Sequence, residues 1–231
     1  LPPKQPKFAF VSKGNRPVKI DLEKQITHFI DSKRIEKRSP KTISAYFQVL
    51  EQFRKWFVDT GEKEISSEIL RKYIGYLTSE KIRWDDYPTS PNGGCGLSAR
   101  TVNNVIRNMR IFLNYLMKER IISHSPMNAV NYQIQNKETF EIFTDEEVTK
   151  LLGSPNLRVY TGRRDFCMML VLIDGGLRIK EMTSLLVSDI DFKLRQVTIR
   201  AEIAKTRTTR IVPLSQRTIK EIEKLISYMD L

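Results

Sequence analysis

At 231 residues, 40% of them hydrophobic, the chain is long enough for one large core or two modest ones. Its formal net charge of +12 points to a polyanionic partner, nucleic acid first and an anionic membrane surface second, because a field of that sign gathers phosphates. The longest apolar run, Cys167 to Ile173, is far short of the roughly 18 residues of a membrane span, which sets aside a membrane protein. No charged-then-apolar leader opens the chain, and Cys95 and Cys167 lack a partner at metal-ligand spacing, so a cytoplasmic protein with reduced thiols is expected.

Residues 1–20, rich in Pro and Lys and without a sustained period, read as a flexible arm or a linker from something upstream. Helical signals then follow one another through residues 21–130. Asp21 is placed to cap a helix with Leu22, Ile26, Phe29 and Ile30 on its apolar face. Ser39-Pro40 opens a second, with a stripe of Ile43, Phe47, Leu50, Phe53 and Phe57 that stops near Gly61. A third begins near Ser66 and turns Leu70, Tyr73, Ile74 and Leu77 inward, and Lys81 to Gly96, rich in Pro and Gly, reads as a loop. Ser98 caps a fourth, whose inward residues are Val102, Val105, Ile106, Met109, Leu113 and Leu116. Four helices of this size make a small domain.

The outer face of the fourth helix carries Arg100, Asn103, Asn104, Arg107 and Arg110 with no acid among them. Arginines suit phosphates and asparagine pairs bidentately with adenine, so this face is a candidate DNA contact. A solvated face of a basic protein has the same composition. The second helix offers a weaker version in Lys41, Thr42 and Gln48.

From Asn131 to Phe143 the pattern lapses, as in an interdomain linker, and residues 144–231 are expected to form a mixed domain. Thr144 and Glu147 make a capping box for a helix through Leu152. Phe166 to Ile173 is apolar on all sides, the signature of a helix buried at a domain centre, and Gly175-Gly176 ends it. Leu177 starts the next helix, with Glu181 and Leu185 on its line. The period then changes to two at Val197, Ile199, Ala201 and Ile203, and Arg210 to Leu214 supplies the answering strand. Lys205 falls in the turn between them, and a last helix runs from about Ser215 to Met229. Singly, an arginine after Gly-Gly reads as a surface or capping residue, a hairpin lysine as solvated, and Glu181 as an intrahelical partner of Arg178. In this order, a guanidinium and an ammonium suit the gripping of a phosphodiester and protonation of its departing oxygen.

That order resembles the tyrosine recombinase or phage-integrase family over nearly the whole chain from Asp21. Ser-Pro-Lys-Thr-Ile-Ser-Ala-Tyr at 39–46, Leu-Ser-Ala-Arg-Thr-Val-Asn at 97–103 and Ser-Pro-Met-Asn-Ala-Val at 125–130 resemble its core-binding domain. Gly-Gly-Leu-Arg-Ile-Lys-Glu at 175–181 and the Lys-Thr-x-x-x-Arg-x-Val-Pro-Leu stretch from Lys205 resemble the start of its catalytic domain. The resemblance implies a mainly α fold with a small antiparallel sheet: a four-helix, SAM-like core-binding domain, then a truncated α+β catalytic domain. It further implies that Arg178 binds the scissile phosphate, that Glu181 orders the site and that Lys205 protonates the 5′ oxygen. Double-stranded DNA is the implied partner, gripped by a homo-oligomer, a tetramer in the intact protein, and a role in DNA integration or on a mobile element is implied with it.

The family's His-x-x-Arg box, its further His or Trp and its tyrosine nucleophile have no counterpart here. His28 and His124 both precede Arg178, and Tyr228, the only tyrosine after the hairpin, lies too close to it. The chain therefore reads as cut within the catalytic domain, with the nucleophile not present and no cleavage expected from it alone. No acidic pair for two metals and no Gly-rich phosphate loop appears, so neither metal nor nucleotide cofactor is expected. A related DNA-binding protein or regulator without catalysis is the alternative, and a basic interaction module a third reading.

Overall fold

The computed structural model describes residues 17–83, 93–135 and 141–229. The chain divides into two compact units, Leu1–Glu138 and Thr139–Leu231. Helices dominate both, with small antiparallel sheets, as the sequence leads one to expect.

In the first unit four helices form where their caps stand: α1 (Leu22–Ile35) behind Asp21, α2 (Pro40–Asp59) behind Ser39, α3 (Ser67–Ser79) behind Ser66 and α4 (Ala99–Lys118) behind Ser98. Each capping oxygen accepts from a backbone N–H three residues on, satisfying a donor that the helix itself leaves free. Their stripes meet in an aromatic core in which Phe29 lies edge-on to Tyr46, Phe112 and Tyr115, with centroids 5.3–5.4 Å apart. Phe53 and Trp56 stack beside Tyr73 in the same cluster.

Four expectations are corrected in this unit. Phe47 is 49% exposed, and Ile43 and Ile74 are half-buried, because the core contacts of α2 and α3 fall on narrower stripes than the apolar residues cover. Residues 17–20 are not part of a free arm: Val18 exchanges both backbone hydrogen bonds with Ile65, and Val18 and Ile20 pack on the core, while residues 1–16 lie outside the described chain. The expected loop holds paired strands, β1 (Ile82–Arg83) and β2 (Gly93–Cys95), and residues 84–92 of it lie outside the described chain. Finally, residues 131–135, expected as linker, are bonded to α3 and α4, as detailed below.

The second unit is built from α5 (Asp145–Gly153), α6 (Tyr160–Gly175), α7 (Ile179–Thr183), a three-stranded antiparallel sheet and α8 (Gln216–Met229). The sheet runs β3 (Ile190–Asp191), β4 (Gln196–Ile199), β5 (Arg210–Pro213), with Ile199 opposite Arg210 and Val197 opposite Val212. Val197 and Ile199 turn into a core shared with Cys167 and Val171 of α6 and Ile219 and Ile222 of α8. The Thr144–Glu147 capping box forms as read. Beyond Ile199, however, Arg200 O accepts from the N–H groups of both Ile203 and Ala204, so the expected strand residues Ala201 and Ile203 belong to a long turn. Nor is α6 buried all round: Phe166, Cys167, Leu170 and Val171 face the core while Ile173 is 49% exposed.

Glycine is required where α4 is approached from β2. Gly96 has φ +83°, and a Cβ there would stand 2.2 Å from the Thr78 carbonyl oxygen, whereas Gly75, inside α3, faces open space. Gly96→Ala should lower the unfolding free energy by more than about 2 kcal/mol. Gly75→Ala should raise it by about 0.5–1 kcal/mol, since it only removes backbone freedom from the unfolded chain. Urea titrations of both variants decide this; equal effects would refute the assignment.

Candidate nucleic-acid interface

In the first unit the basic face of α4 forms one wall of a groove of about 680 Å³, lined by Arg100, Thr101, Asn103, Asn104 and Arg107 and by Tyr132, Gln133 and Gln135 from the segment beyond Val130. Arg100, Asn104 and Arg107 are exposed. Asn103 and Arg110 are not free, which corrects the expectation that all five side chains stand outward. Asn103 donates to Gln133 O at 2.9 Å and accepts from Gln133 N at 2.7 Å, completing a strand-like pair with a segment that has no strand beside it. Arg110 donates to Val130 O at 2.8 Å and lies 4.6 Å from the Tyr132 ring centroid.

Three more bonds continue the attachment: Arg71 to Ala129 O, the Gln133 amide to the Thr78 hydroxyl, and Gln135 to Ala99 O. Residues 129–135 are thus strapped across α3 and α4, mostly by side chains that reach backbone atoms. On α2, Lys41 is exposed, while Thr42 is half-buried with its hydroxyl 2.8 Å from Ser39 Oγ at the helix cap.

In the second unit the geometry centres on Glu181, whose side chain is 1% exposed. Gly176, at φ +58°, ends α6 in the left-handed conformation and turns the chain so that Arg178 is the N-cap of α7. Glu181, one turn into α7, reaches back to accept from Arg178 N at 3.0 Å and from Arg178 Nη1 at 2.9 Å. The helix is shorter than expected and ends at Thr183, so Leu185 lies beyond it.

Sequence reading gave Arg210 no role beyond its place in the strand motif, yet it is the strongest partner of Glu181. Its Nη2 donates to Oε2 at 2.7 Å and its Nη1 to Oε1 at 3.2 Å. This guanidinium, opposed by burial and joined by the Arg178 backbone N–H and side chain, holds the Glu181 carboxyl down at about 2. No local signal could have found the pair, since its members are 29 positions apart. The Arg178 side chain is 52% exposed. Lys205 is exposed within the turn that precedes β5. Tyr228 lies under the Arg163 guanidinium, 4.6 Å from its ring centroid.

Chemically, the cluster carries two guanidinium charges against one carboxylate, and its solvent-facing member is Arg178. Such an arrangement suits an anion with several oxygens. Among the described residues no helix is long and apolar enough to cross a membrane.

Residues 141–230 match the model of the phage integrase family, and residues 22–134 match that of the phage integrase SAM-like domain. The tyrosine recombinase XerC of Chlamydia caviae is 27% identical over 205 residues, and XerD of Listeria monocytogenes 28% over 207. These alignments take in 85% and 89% of this chain but 64% of each relative, so the chain spans under two thirds of their length. In fold it resembles the Tn1549 transposon integrase solved with transposon right end DNA, at a TM-score of 0.66 and 13% identity, over 90% of this chain and 65% of that one. It also resembles the XerH site-specific recombinase bound to its difH substrate, at 0.56 and 18%, over 90% and 56%.

Two outcomes follow from this geometry. Asn103→Ala removes both bonds to Gln133 and should cost about 1–2 kcal/mol. Amide exchange at Gln133 should quicken in the variant; unchanged protection there would mean that the strap is held by its other bonds. For Glu181, a carboxyl held below its ordinary value of 4.5 contributes stability that is complete above about pH 4.5 and is lost as the pH falls towards about 2. Glu181→Gln should therefore be less stable than the parent at neutral pH, and the difference should shrink through that window. A constant difference from pH 7 to 2.5 would show that the charge of Glu181 plays no part.

Proposed function

We propose that this chain, which belongs to the tyrosine recombinase or phage-integrase family, is the part of a site-specific DNA recombinase that holds duplex DNA and supplies the first groups of its phosphate site. The observation that carries this reading is the Glu181 cluster: a buried, saturated carboxylate that fixes the backbone and one nitrogen of Arg178 and leaves the guanidinium half-exposed. Anion-binding arginines fixed in this way lose little freedom on binding, and the field they present is already oriented.

In the intact protein, the oxygen of a tyrosine outside this chain, its hydroxyl proton given up to a base also outside this chain, attacks the phosphorus of the scissile phosphodiester. Arg178 stabilises the charge on the nonbridging oxygens, a 3′-phosphotyrosyl bond forms, and the bond from phosphorus to the 5′ oxygen breaks. Lys205 gives a proton from its ammonium to that departing oxygen. Because the 3′-phosphotyrosyl bond retains the phosphodiester character, rejoining needs no outside energy source. The chain alone, without that tyrosine, binds without cutting. The partner strand exchange is proposed to run in a homo-oligomer, a tetramer on DNA.

Binding itself is assigned to Arg100, Asn104 and Arg107 in the groove of the first unit, with Lys41 at the start of α2 as a further phosphate contact. The two units on one chain gain avidity, since the second contact is intramolecular. Affinity of the chain for duplex DNA should fall steeply between low and moderate salt, as counterion release requires. Arg107→Ala should weaken a recombination-site duplex and a scrambled one alike, whereas Asn104→Ala should narrow the difference between them by about 1–3 kcal/mol if it reads a base edge. Fluorescence anisotropy at one salt concentration measures both. Salt-independent binding, or no effect of either substitution, would overturn the assignment.

A further inference from the structure

We propose that Arg210 is the positioning residue of the phosphate site: by clamping Glu181 end-on with both terminal nitrogens, it leaves Arg178 free to face the phosphodiester. This rests on the reading of Arg178 as the phosphate ligand.

A carboxylate offers about four acceptor sites, and Glu181 has four donors: Arg178 N, Arg178 Nη1, Arg210 Nη1 and Arg210 Nη2. The two arginines share the carboxylate unequally. Arg210 commits both terminal nitrogens, one to each oxygen, in the parallel fork that makes guanidinium the strongest carboxylate partner. Arg178 commits one side-chain nitrogen, and neither its Nε nor its Nη2 is bonded to another described residue. The exposures follow the same division: 35% for Arg210 and 52% for Arg178.

Without Arg210, a buried carboxylate would hold only one cation. An unpaired buried charge is costly, so Glu181 would draw Arg178 into a closed, mutually neutral pair. The incoming phosphate would then meet a cluster of net charge zero and would have to break that pair. With Arg210 present the same cluster carries one net positive charge, and the guanidinium that is not forked is the one that faces solvent. Placement adds a second role. Arg210 is the first residue of β5, directly after the turn that carries Lys205, and stands opposite Ile199. Its ion pair therefore ties that turn's C-terminal strand to α7, so that the segment bearing Lys205 and the residue capping α7 share one anchor.

The test uses this 231-residue chain with inorganic phosphate as the probe at constant ionic strength, following by NMR the backbone amide resonances of residues 177–182, which remain readable when the Arg178 side chain is replaced. The parent should show a saturable shift. Arg210→Met, similar in length but uncharged, should weaken phosphate binding at least several-fold and move the Glu181 side-chain carboxyl titration upward. Arg210→Lys restores the charge but not the fork, and should recover part of the affinity and not all of it.

Because Arg210→Met leaves a buried carboxylate with one partner, its fold is checked by circular dichroism, and Arg210→Lys is the deciding variant if Arg210→Met does not fold. Phosphate affinity equal to the parent in folded Arg210→Met, or in Arg210→Lys, would overturn the proposal and leave Arg210 a structural residue. Arg178→Ala separates the two readings. Loss of binding there with none in the Arg210 variants sinks this inference alone, whereas undiminished binding in Arg178→Ala sinks the phosphate site itself.

Discussion

A carboxylate buried to 1% exposure cannot be left without partners, and this single requirement organises the second unit around Glu181. The group is supplied by a five-residue helix, α7, which is too short to be stable by itself. What fixes that helix is the ring of donors around its third residue: the N–H and guanidinium of its own cap, and a guanidinium arriving from a strand 29 positions later. The left-handed Gly176 sets the direction in which the cap residue leaves α6, and the Ile199–Arg210 register sets where β5 delivers its arginine. Change either and the four donors no longer converge on one carboxylate.

The first unit solves a related problem by different means. Residues 129–135 run past α3 and α4 with backbone polar groups unmatched by any strand among the described residues, and side chains from α3 and α4 take the place of the missing ladder. Asn103 is the member best suited to this, because an amide presents a donor and an acceptor with the spacing of a peptide group. The consequence reaches the groove. Tyr132, Gln133 and Gln135 line it only because the strap holds them there, so the side chains that look unused on a helical wheel are the ones that shape the wall opposite Arg100 and Arg107.

The parts of this protein that were legible in its sequence are those decided within a few residues. Asp21, Ser39, Ser66, Ser98 and Thr144 stand where the helices begin because capping is a contact over three positions, and the stripes of α1 and α4 are buried as their period requires. The Arg178–Glu181 pair was visible for the same reason. Arg210 was not, and neither was the tie of Asn103 to Gln133, since both join residues about 30 positions apart and leave no periodic trace. Strand β4 was read too long because Ala201 and Ile203 continue its alternation, while the backbone turns at Arg200, whose carbonyl takes two N–H groups from that turn. Phe47 was read as core from its place on the helical stripe; an apolar side chain continues a stripe whether or not a neighbouring helix lies over it.

The two units also differ in how their candidate functional side chains are held. Behind the α4 groove stands a large aromatic core in which Phe29 and Phe53 each touch three rings, so the groove's floor is set by packing. The second unit has a smaller core and an α5 with no buried residue, and its fixed points are polar: Glu181 with its two arginines, Asp189 with Arg200 at 2.8 Å, and Asp174, which accepts from the Ser215 N–H at the start of α8. Packing is indifferent to direction, whereas a carboxylate with four donors holds each at a set angle. A surface that reads DNA shape tolerates the first kind of support; an arginine that must meet the oxygens of one phosphate needs the second. The division of labour proposed for the two units thus matches the way each holds its side chains.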